Sequence, residues 1–370
     1  MQIGFVDLID AAPLIAAHER GFFADEGLRV VLRRQLGWGS VRDRLTFGDL
    51  DASHALLGMP LFSQLRRGGF LEPLVAVMNL GAGGDAITVS KRLIDAGVRN
   101  AASLARYART LARGERLVFA HVFNCSMHHF LLREWLAAGG GIDPGRDVEL
   151  RVFPPNQMAG HMARGHLDGF CAGEPWNTVA ERDGVGRIVT LTTDVIPNHP
   201  EKVLATTARW ARTNCAVLVA LVRAVIRGCA FCNDPANGDA LAEVLARPQY
   251  LAVRAEDVRT SLALRDGSAA TAATTATAAT AATAAAARSF APAFTVPSKT
   301  HAAWMASQMA RWGQLPSNAD VRAIATTCAE TTPYRAAAAS LDLACPATDF
   351  PPMPLRNGAF EVPAEASVAS

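Results

Sequence analysis

Residues 165–177 read Gly-His-Leu-Asp-Gly-Phe-Cys-Ala-Gly-Glu-Pro-Trp-Asn, and residues 48–60 read Gly-Asp-Leu-Asp-Ala-Ser-His-Ala-Leu-Leu-Gly-Met-Pro. The two stretches share one plan. In each, an amphipathic run (residues 156–164 and 40–47) ends at a Gly suited to a helix C-cap, and Leu-Asp then opens a short apolar strand. Each strand stops at a Gly, Gly173 or Gly58, and after one intervening residue a Pro, Pro175 or Pro60, suits the first turn of a new helix. Such a unit, met twice, predicts two α/β lobes built alike. Open α/β sheets take their ligands at the carboxyl ends of strands, so Gly58 and Gly173 mark the walls of a cleft.

Outward from this repeat, strands are expected at 2–6, 28–34, 52–57 and 74–79, separated by helical patterns at 12–23, 40–47 and 60–67. That alternation predicts a parallel sheet. A second series follows, with strands at 86–90, 116–122, 148–153, 169–173 and 187–192 and helices at 102–113, 126–138 and 156–164. The domain reading is therefore lobe 1 from 1–83, lobe 2 from 84–200, and a mainly helical return to lobe 1 from 201–345. Within that return, residues 268–287 contain only Ala, Thr and Ser and are expected to form a flexible insertion or a poorly packed helix. A helix at 300–313 carries Trp304 and Trp312 as core residues, and the tail 346–370, rich in Pro and small residues, is expected to be loosely ordered.

Composition removes several function classes. The chain has 370 residues, half of them apolar, enough to bury the core of two domains. Lys plus Arg number 36 against 34 Asp plus Glu, so no strong field advertises nucleic acid or a membrane surface, and any anion site must be local. Met1-Gln2-Ile3-Gly4-Phe5-Val6 opens a strand at once, with no basic segment, apolar run or cleavage site before it, which predicts a cytoplasmic location. No apolar run is long enough to span a bilayer. Seven Cys at irregular spacings read as reduced thiols, and Cys229-Ala-Phe-Cys232 lacks the second ligand pair of a zinc site, so no metal or cofactor is expected.

Three glycine-rich or capped turns point at the expected cleft: Gly37-Trp38-Gly39-Ser40, Gly81-Ala82-Gly83-Gly84-Asp85 and Cys125-Ser126-Met127-His128. Helix N-termini offer unpaired N–H groups and partial positive charge, so a small anion can bind without a basic chain. The plainer reading of Ser40 and Ser126 is that they cap their helices. His128 and His129 fall in a first helical turn, where a neutral ring can donate one hydrogen bond. Lys202, beyond His199-Pro200-Glu201 at the second lobe crossing, can bring a formal positive charge; otherwise it is a solvated lysine. There is no Gly-x-Ser-x-Gly, no Gly-x-x-x-x-Gly-Lys, no His-Glu-x-x-His and no Gly-x-Gly-x-x-Gly after the first strand, so no catalytic residue is assigned. Cys171, inside a strand of small residues, reads as a buried inert thiol rather than a nucleophile.

These residues resemble the nitrate- and bicarbonate-binding proteins of bacterial ABC importers and their cytoplasmic relatives that sense nitrate or nitrite. The resemblance runs in order over most of residues 3–315. It rests on Ala12-Pro13-Leu14 with Glu19-Arg20-Gly21-Phe22-Phe23, Trp38 with Val41-Arg42-Asp43, and Gly58-Met59-Pro60. It continues through Ser126-Met127-His128, Trp135-Leu136-Ala137-Ala138-Gly139-Gly140, Gly173-Glu174-Pro175-Trp176-Asn177 and Asn198-His199-Pro200-Glu201-Lys202-Val203-Leu204. It implies a two-lobed type II periplasmic-binding-protein-like α/β fold closing over a small inorganic anion, with Trp38, Gly84, Asp85, His128 and Lys202 as ligand contacts. Asp85 departs from the amide usual there, and a carboxylate repels an anion unless protonated, turned away or answered by Lys202. The sensor branch implies a protein partner, an RNA-binding antiterminator held by the ligand-free form and released by nitrate or nitrite. The alternative is the substrate-binding component of a nitrate/bicarbonate-type importer. A third reading, a thiol-dependent or pyrimidine-synthesis enzyme on the same fold, lacks a catalytic constellation.

Overall fold

The computed structural model describes residues 1–66, 69, 71–112, 114–139, 141–266, 289–355 and 357–362. Ten strands build the two lobes: β1 (Gln2–Phe5), β2 (Val31–Arg34), β3 (Ala52–Leu56), β4 (Leu74–Asn79), β5 (Asp85–Ser90), β6 (Leu117–His121), β7 (Val148–Val152), β8 (Gly169–Gly173), β9 (Gly186–Leu191) and β10 (Lys202–Thr207). The first sheet has the order β2-β1-β3-β10-β4 and the second β7-β6-β8-β5-β9. In the first, β1 runs parallel to β2 and β3, and β10 is antiparallel to β3 and β4. In the second, β6 is parallel to β7 and β8, and β5 is antiparallel to β8 and β9. One sheet repeats the other strand for strand, and the two stretches of like sequence become β3 and β8, which hold the same place in each.

The expected parallel sheet is corrected to a mixed one. The chain crosses between lobes twice, from β4 to β5 and from β9 to β10, and each crossing enters the middle of the opposite sheet as an antiparallel strand. β10 opens the return segment that was expected to be mainly helical. All six of its residues are buried, so it lacks the alternation that betrays a half-exposed strand. The Gly81–Asp85 turn likewise leads into β5 and not into a helix, so it offers no helix dipole.

On the outer face of the first sheet, helices Ala12–Glu19, Cys215–Asn233 and Thr332–Ala339 pack around Ile3, Leu14, Val77, Leu204, Leu221, Val225 and Tyr334. Helix Cys215–Asn233 is long and apolar enough to cross a membrane by length and composition, and its apolar face lies in this core. Cys229 and Cys232 sit on it, buried, with burial holding both thiols above their ordinary range. A second cluster runs across the lobes, joining Leu8, Trp38, Leu57 and Met59 to Cys125, Met127, Phe130 and Trp176, with Trp304 and Met305 of helix Lys299–Arg311 beneath them. Trp304 is core as expected; Trp312 is half-buried under Arg133 and Arg311. Within the tail, Met353–Leu355 and Gly358–Phe360 pair as antiparallel strands with Met353 buried, while residues 363–370 lie outside the described residues. The Ala/Thr/Ser tract at 268–287 lies outside the described residues.

The lobes are closed on each other. The Ile9 amide donates to the Glu174 carbonyl (2.9 Å), Trp176 Nε1 to the Asp7 carbonyl (2.9 Å), and Asn156 Nδ2 to Asp7 Oδ2 (3.0 Å). Ion pairs Arg182 to Asp257 and Arg311 to Glu134 join the return segment to the second lobe. Glu174 and Trp176, within the stretch that first declared the repeat, thus serve closure.

Candidate functional site

The two crossing strands occupy equivalent places in the repeat, and their first residues meet. Asp85 opens β5 opposite Gly173, the last residue of β8; Lys202 opens β10 opposite Leu56, the last of β3. Both therefore stand at carboxyl ends of parallel strands, where the lobes face each other. Lys202 Nζ lies 3.8 Å from Asp85 Oδ1, 3.6 Å from Asp10 Oδ2 and 2.6 Å from Glu201 Oε1, with its side chain 1% exposed. Its ammonium sits 5.8 Å from the centre of the Trp38 ring. That ring meets His54 edge-on at 5.2 Å.

Trp38 is placed by the first turn of helix Trp38–Thr46. Ser40 is not its cap: its hydroxyl donates back to the Gly37 carbonyl (2.9 Å). Ser126 does cap helix Met127–Ala138, accepting from the His129 amide (3.2 Å). This cap fixes His128 between the lobes, with Nε2 3.0 Å from Asp85 Oδ1 and Nδ1 3.2 Å from Glu201 Oε1, the latter without hydrogen-bond alignment. His128 thus makes the one side-chain hydrogen bond expected of it, to Asp85, and stands beside a second carboxylate, Glu201. His129 turns away, pairing with His121 Nε2 (3.2 Å) and Arg133 Nε (2.9 Å).

Gly84 acts through its emptiness. Its φ is +92°, and an added Cβ would lie 2.1 Å from Arg265 Nη1. The missing side chain lets the Arg265 guanidinium lie against the turn and donate to Asp10 Oδ1 at 2.8 Å. The five residues singled out from sequence, Trp38, Gly84, Asp85, His128 and Lys202, thus come together in one buried cluster. Asp10, His54, Glu174, Glu201 and Arg265 were missed. Asp10 follows the first strand, and Glu201 adjoins Lys202, so both carried a readable signal. Arg265 comes from the far end of helix Ala255–Arg265 and carried none.

The electrostatics follow from burial and charge pairing. Burial alone would raise Asp85, but His128 and Lys202 outweigh it and hold the carboxyl well below its ordinary range. Asp10 is likewise lowered, Lys202 and Arg265 overcoming burial. Glu201 goes the other way, burial and then the Asp85 charge lifting it to about 7, and burial lifts Glu174 to about 7 as well. Lys202 is held above its ordinary value, Asp10, Glu201 and Asp85 outweighing its desolvation. Asp85, His128 and Glu201 bring ligand-type atoms within 4.8 Å of one another. The Lys202 ammonium stands against two of them, which does not fit a resident cation. Burial pushes the Cys171 thiol well up, away from the thiolate a nucleophile needs.

Three buried imidazoles beside these groups make the fold acid-labile. Burial lowers His54 and His121 to about 3 and His199 to about 4. A histidine depressed in the folded state takes up its proton only on unfolding, so its contribution is present above the unfolded pKa of about 6.5 and drains away as pH falls toward 4. Glu174 and Glu201, raised when folded, act oppositely between about 4.5 and 7, but two carboxyls offset only part of three imidazoles, and lowered Asp85 and Asp10 join the histidines below pH ~4. Denaturant titrations should show stability falling by roughly 1 kcal/mol per pH unit below pH ~5. A profile that is flat or rising on acidification contradicts this balance.

Two like-built lobes, joined by two crossings and closed over a buried lysine, define a type II periplasmic-binding-protein-like fold. The chain matches the NMT1-like family over residues 1–246 and belongs to it. It is 37% identical over 320 residues to the bicarbonate transport ATP-binding protein CmpC of Synechocystis sp., an alignment covering 85% of this chain and 46% of that one. The chain spans about half the length of such relatives. It is 31% identical over 359 residues to the nitrate/nitrite binding protein NrtA of Synechococcus elongatus, covering 92% of this chain and 78% of that one. The crystal structure of the periplasmic nitrate-binding protein NrtA from Synechocystis PCC 6803 superimposes with a TM-score of 0.85 at 27% identity, covering 97% and 94% of the two chains.

Proposed function

We propose that this protein is a receptor for a small inorganic oxyanion of the class of nitrate, nitrite and hydrogencarbonate, bound between the lobes and not chemically changed. The observation that carries the reading is Lys202, a fully buried cation over the Trp38 ring at the meeting point of both crossing strands. The names of its relatives, nitrate/nitrite binding and bicarbonate transport proteins, support the same ligand class. Calorimetric titration with the three anions tests it: binding of at least one is expected, and it is lost in Lys202→Ala. If none binds the wild-type chain, the receptor reading falls.

The output of such a receptor is the lobe arrangement, because a partner responds only by preferring one arrangement over the other. In the reading we favour, the chain is a cytoplasmic nitrate/nitrite sensor whose ligand-free form holds an RNA-binding antiterminator and releases it when the anion closes the cleft. Gel filtration with an antiterminator protein tests it. A complex that forms without nitrate or nitrite and dissociates with them is expected; one indifferent to both anions rejects it. The transport proteins among its relatives favour a second reading, the substrate-binding component of an importer, in which the partner is a membrane permease.

A further inference from the structure

We propose that His161 and His166 of the second lobe form a separate binding site, outside the cluster around Lys202, that takes a divalent transition-metal ion of the zinc, nickel or copper class through their two Nδ1 atoms. The fold itself brings the two side chains together. Because Gly48 and Gly165 open the two like stretches of sequence, residues 161 and 166 stand in the second lobe where residues 44 and 49 stand in the first. In each lobe the glycine follows the last residue of a helix, Phe47 or Arg164. Gly48 and Gly165 take φ of +79° and +75°, and their amides return to the Leu45 and Met162 carbonyls (3.2 and 2.9 Å). This left-handed stop folds the residue after the glycine back beside the last helical turn. In the first lobe the positions so paired carry opposite charges, with Arg44 Nε 3.6 Å from Asp49 Oδ2. In the second they carry two imidazoles, with His161 Nδ1 3.3 Å from His166 Nδ1. Two bases thus occupy the place of an ion pair, and a shared cation answers both.

The separation suits such an ion. A tetrahedral centre bonded to two imidazole nitrogens at about 2.0–2.1 Å holds them about 3.3–3.4 Å apart, which matches the Nδ1 pair. The contact between the rings is a hydrogen bond in which one Nδ1 carries the proton and the other the lone pair. Moving that proton to Nε2 of its own ring frees both Nδ1 lone pairs, so two neutral rings take the ion with no net release of protons. The rings are held for this. The Phe153 ring lies 4.3 Å from that of His161, and the His166 amide donates to the His161 carbonyl (3.0 Å). Burial, then Arg164 and His166, all lower His161, which keeps its lone pair available at neutral pH. Arg164, in the same turn, repels a cation, but it is exposed and screened by salt. Imidazole nitrogens select zinc, nickel and copper, whereas magnesium and calcium require oxygen. His166 is exposed and His161 half-buried, so the ion has an open path and water can complete its coordination.

Zinc titrated into the full chain, followed by calorimetry and by the ring-nitrogen NMR resonances of the histidines, tests the site. Saturable binding is expected, weakened at least about tenfold in His161→Gln and in His166→Gln. Magnesium at the same concentrations should give no such binding. Of the nine histidines, the two rings of this pair should report a coordinated Nδ1 and a protonated Nε2. Giving the second lobe the pair of the first, His161→Arg with His166→Asp, should leave the fold intact and abolish zinc binding at this site. No zinc binding to the wild type, or binding equal in wild type and both single variants, overturns the proposal. Zinc that moves the resonances of His128 in place of these two is bound in the cleft and overturns it as well. Should a variant not fold, the ring resonances of the wild type decide alone.

Discussion

Replacing Gly58 by Ala should abolish ligand binding, by about a hundredfold or more in affinity, while leaving the ligand-free protein folded. Gly58 lies two residues beyond the end of β3 in the first lobe and starts helix Gly58–Gln64. In the closed arrangement, a Cβ at Gly58 would stand 1.9 Å from the Cys125 carbonyl oxygen of the second lobe and 2.7 Å from Met305 Sδ. The Met305 side chain can turn aside, but a backbone carbonyl at the start of a capped helix cannot, so the lobes must stay apart. Apart, nothing opposes the alanine, which suits a helix start better than glycine by about 0.5–1 kcal/mol. A closed state disfavoured by about 2.7 kcal/mol relative to the open one weakens a ligand that needs closure by that hundredfold. Calorimetry gives the affinity, and small-angle scattering should show a larger radius for the variant with and without anion. If Gly58→Ala binds within about threefold of wild type, closure does not depend on this contact.

The repeat that exposed Gly58 was legible because strand ends are marked by residue type. Leu-Asp openings, apolar pentads and Gly-x-Pro exits depend on local backbone needs, which sequence spells out directly. That made β3 and β8 readable as equivalents, and with them the two-lobed class of fold. β10 was not readable, since a strand buried on both faces shows no period. The Lys202 environment was harder still. Trp38, His128 and Asp85 announced themselves through the turns that carry them. Arg265 touches Asp10 across 255 positions of sequence, and only the folded chain brings them together. Glu201 was read as a neighbour of Lys202 when it is its nearest partner, because adjacent residues on a strand usually point to opposite faces. Here Lys202 Nζ reaches Glu201 Oε1 at 2.6 Å at the very start of β10, where the strand geometry is not yet regular.

Lys202→Met should lower unfolding stability by about 3–5 kcal/mol at neutral pH, the usual cost of leaving buried charge unanswered, against a total of about 5–15 kcal/mol for a typical domain. The methionine fills most of the lysine's volume, so the loss tests charge and not packing. Without the ammonium, Asp10 keeps Arg265 and Asp85 keeps His128, but Glu201 loses the one side-chain hydrogen bond it makes among the described residues. Burial, the largest influence on all three carboxyls, then works with less opposition and raises them. A carboxyl raised in the folded state stabilises fully below its unfolded pKa of about 4 and loses that contribution as pH rises through its folded value. Lysine in the wild type, itself raised, contributes steadily until pH passes about 10.5. The stability gap between the two proteins should therefore be small near pH ~5 and widen by about 2 kcal/mol or more by pH ~8. Denaturant unfolding of both proteins at the two pH values measures it. A gap that is the same at both would mean that the carboxylates of the cleft do not depend on Lys202 for their charge.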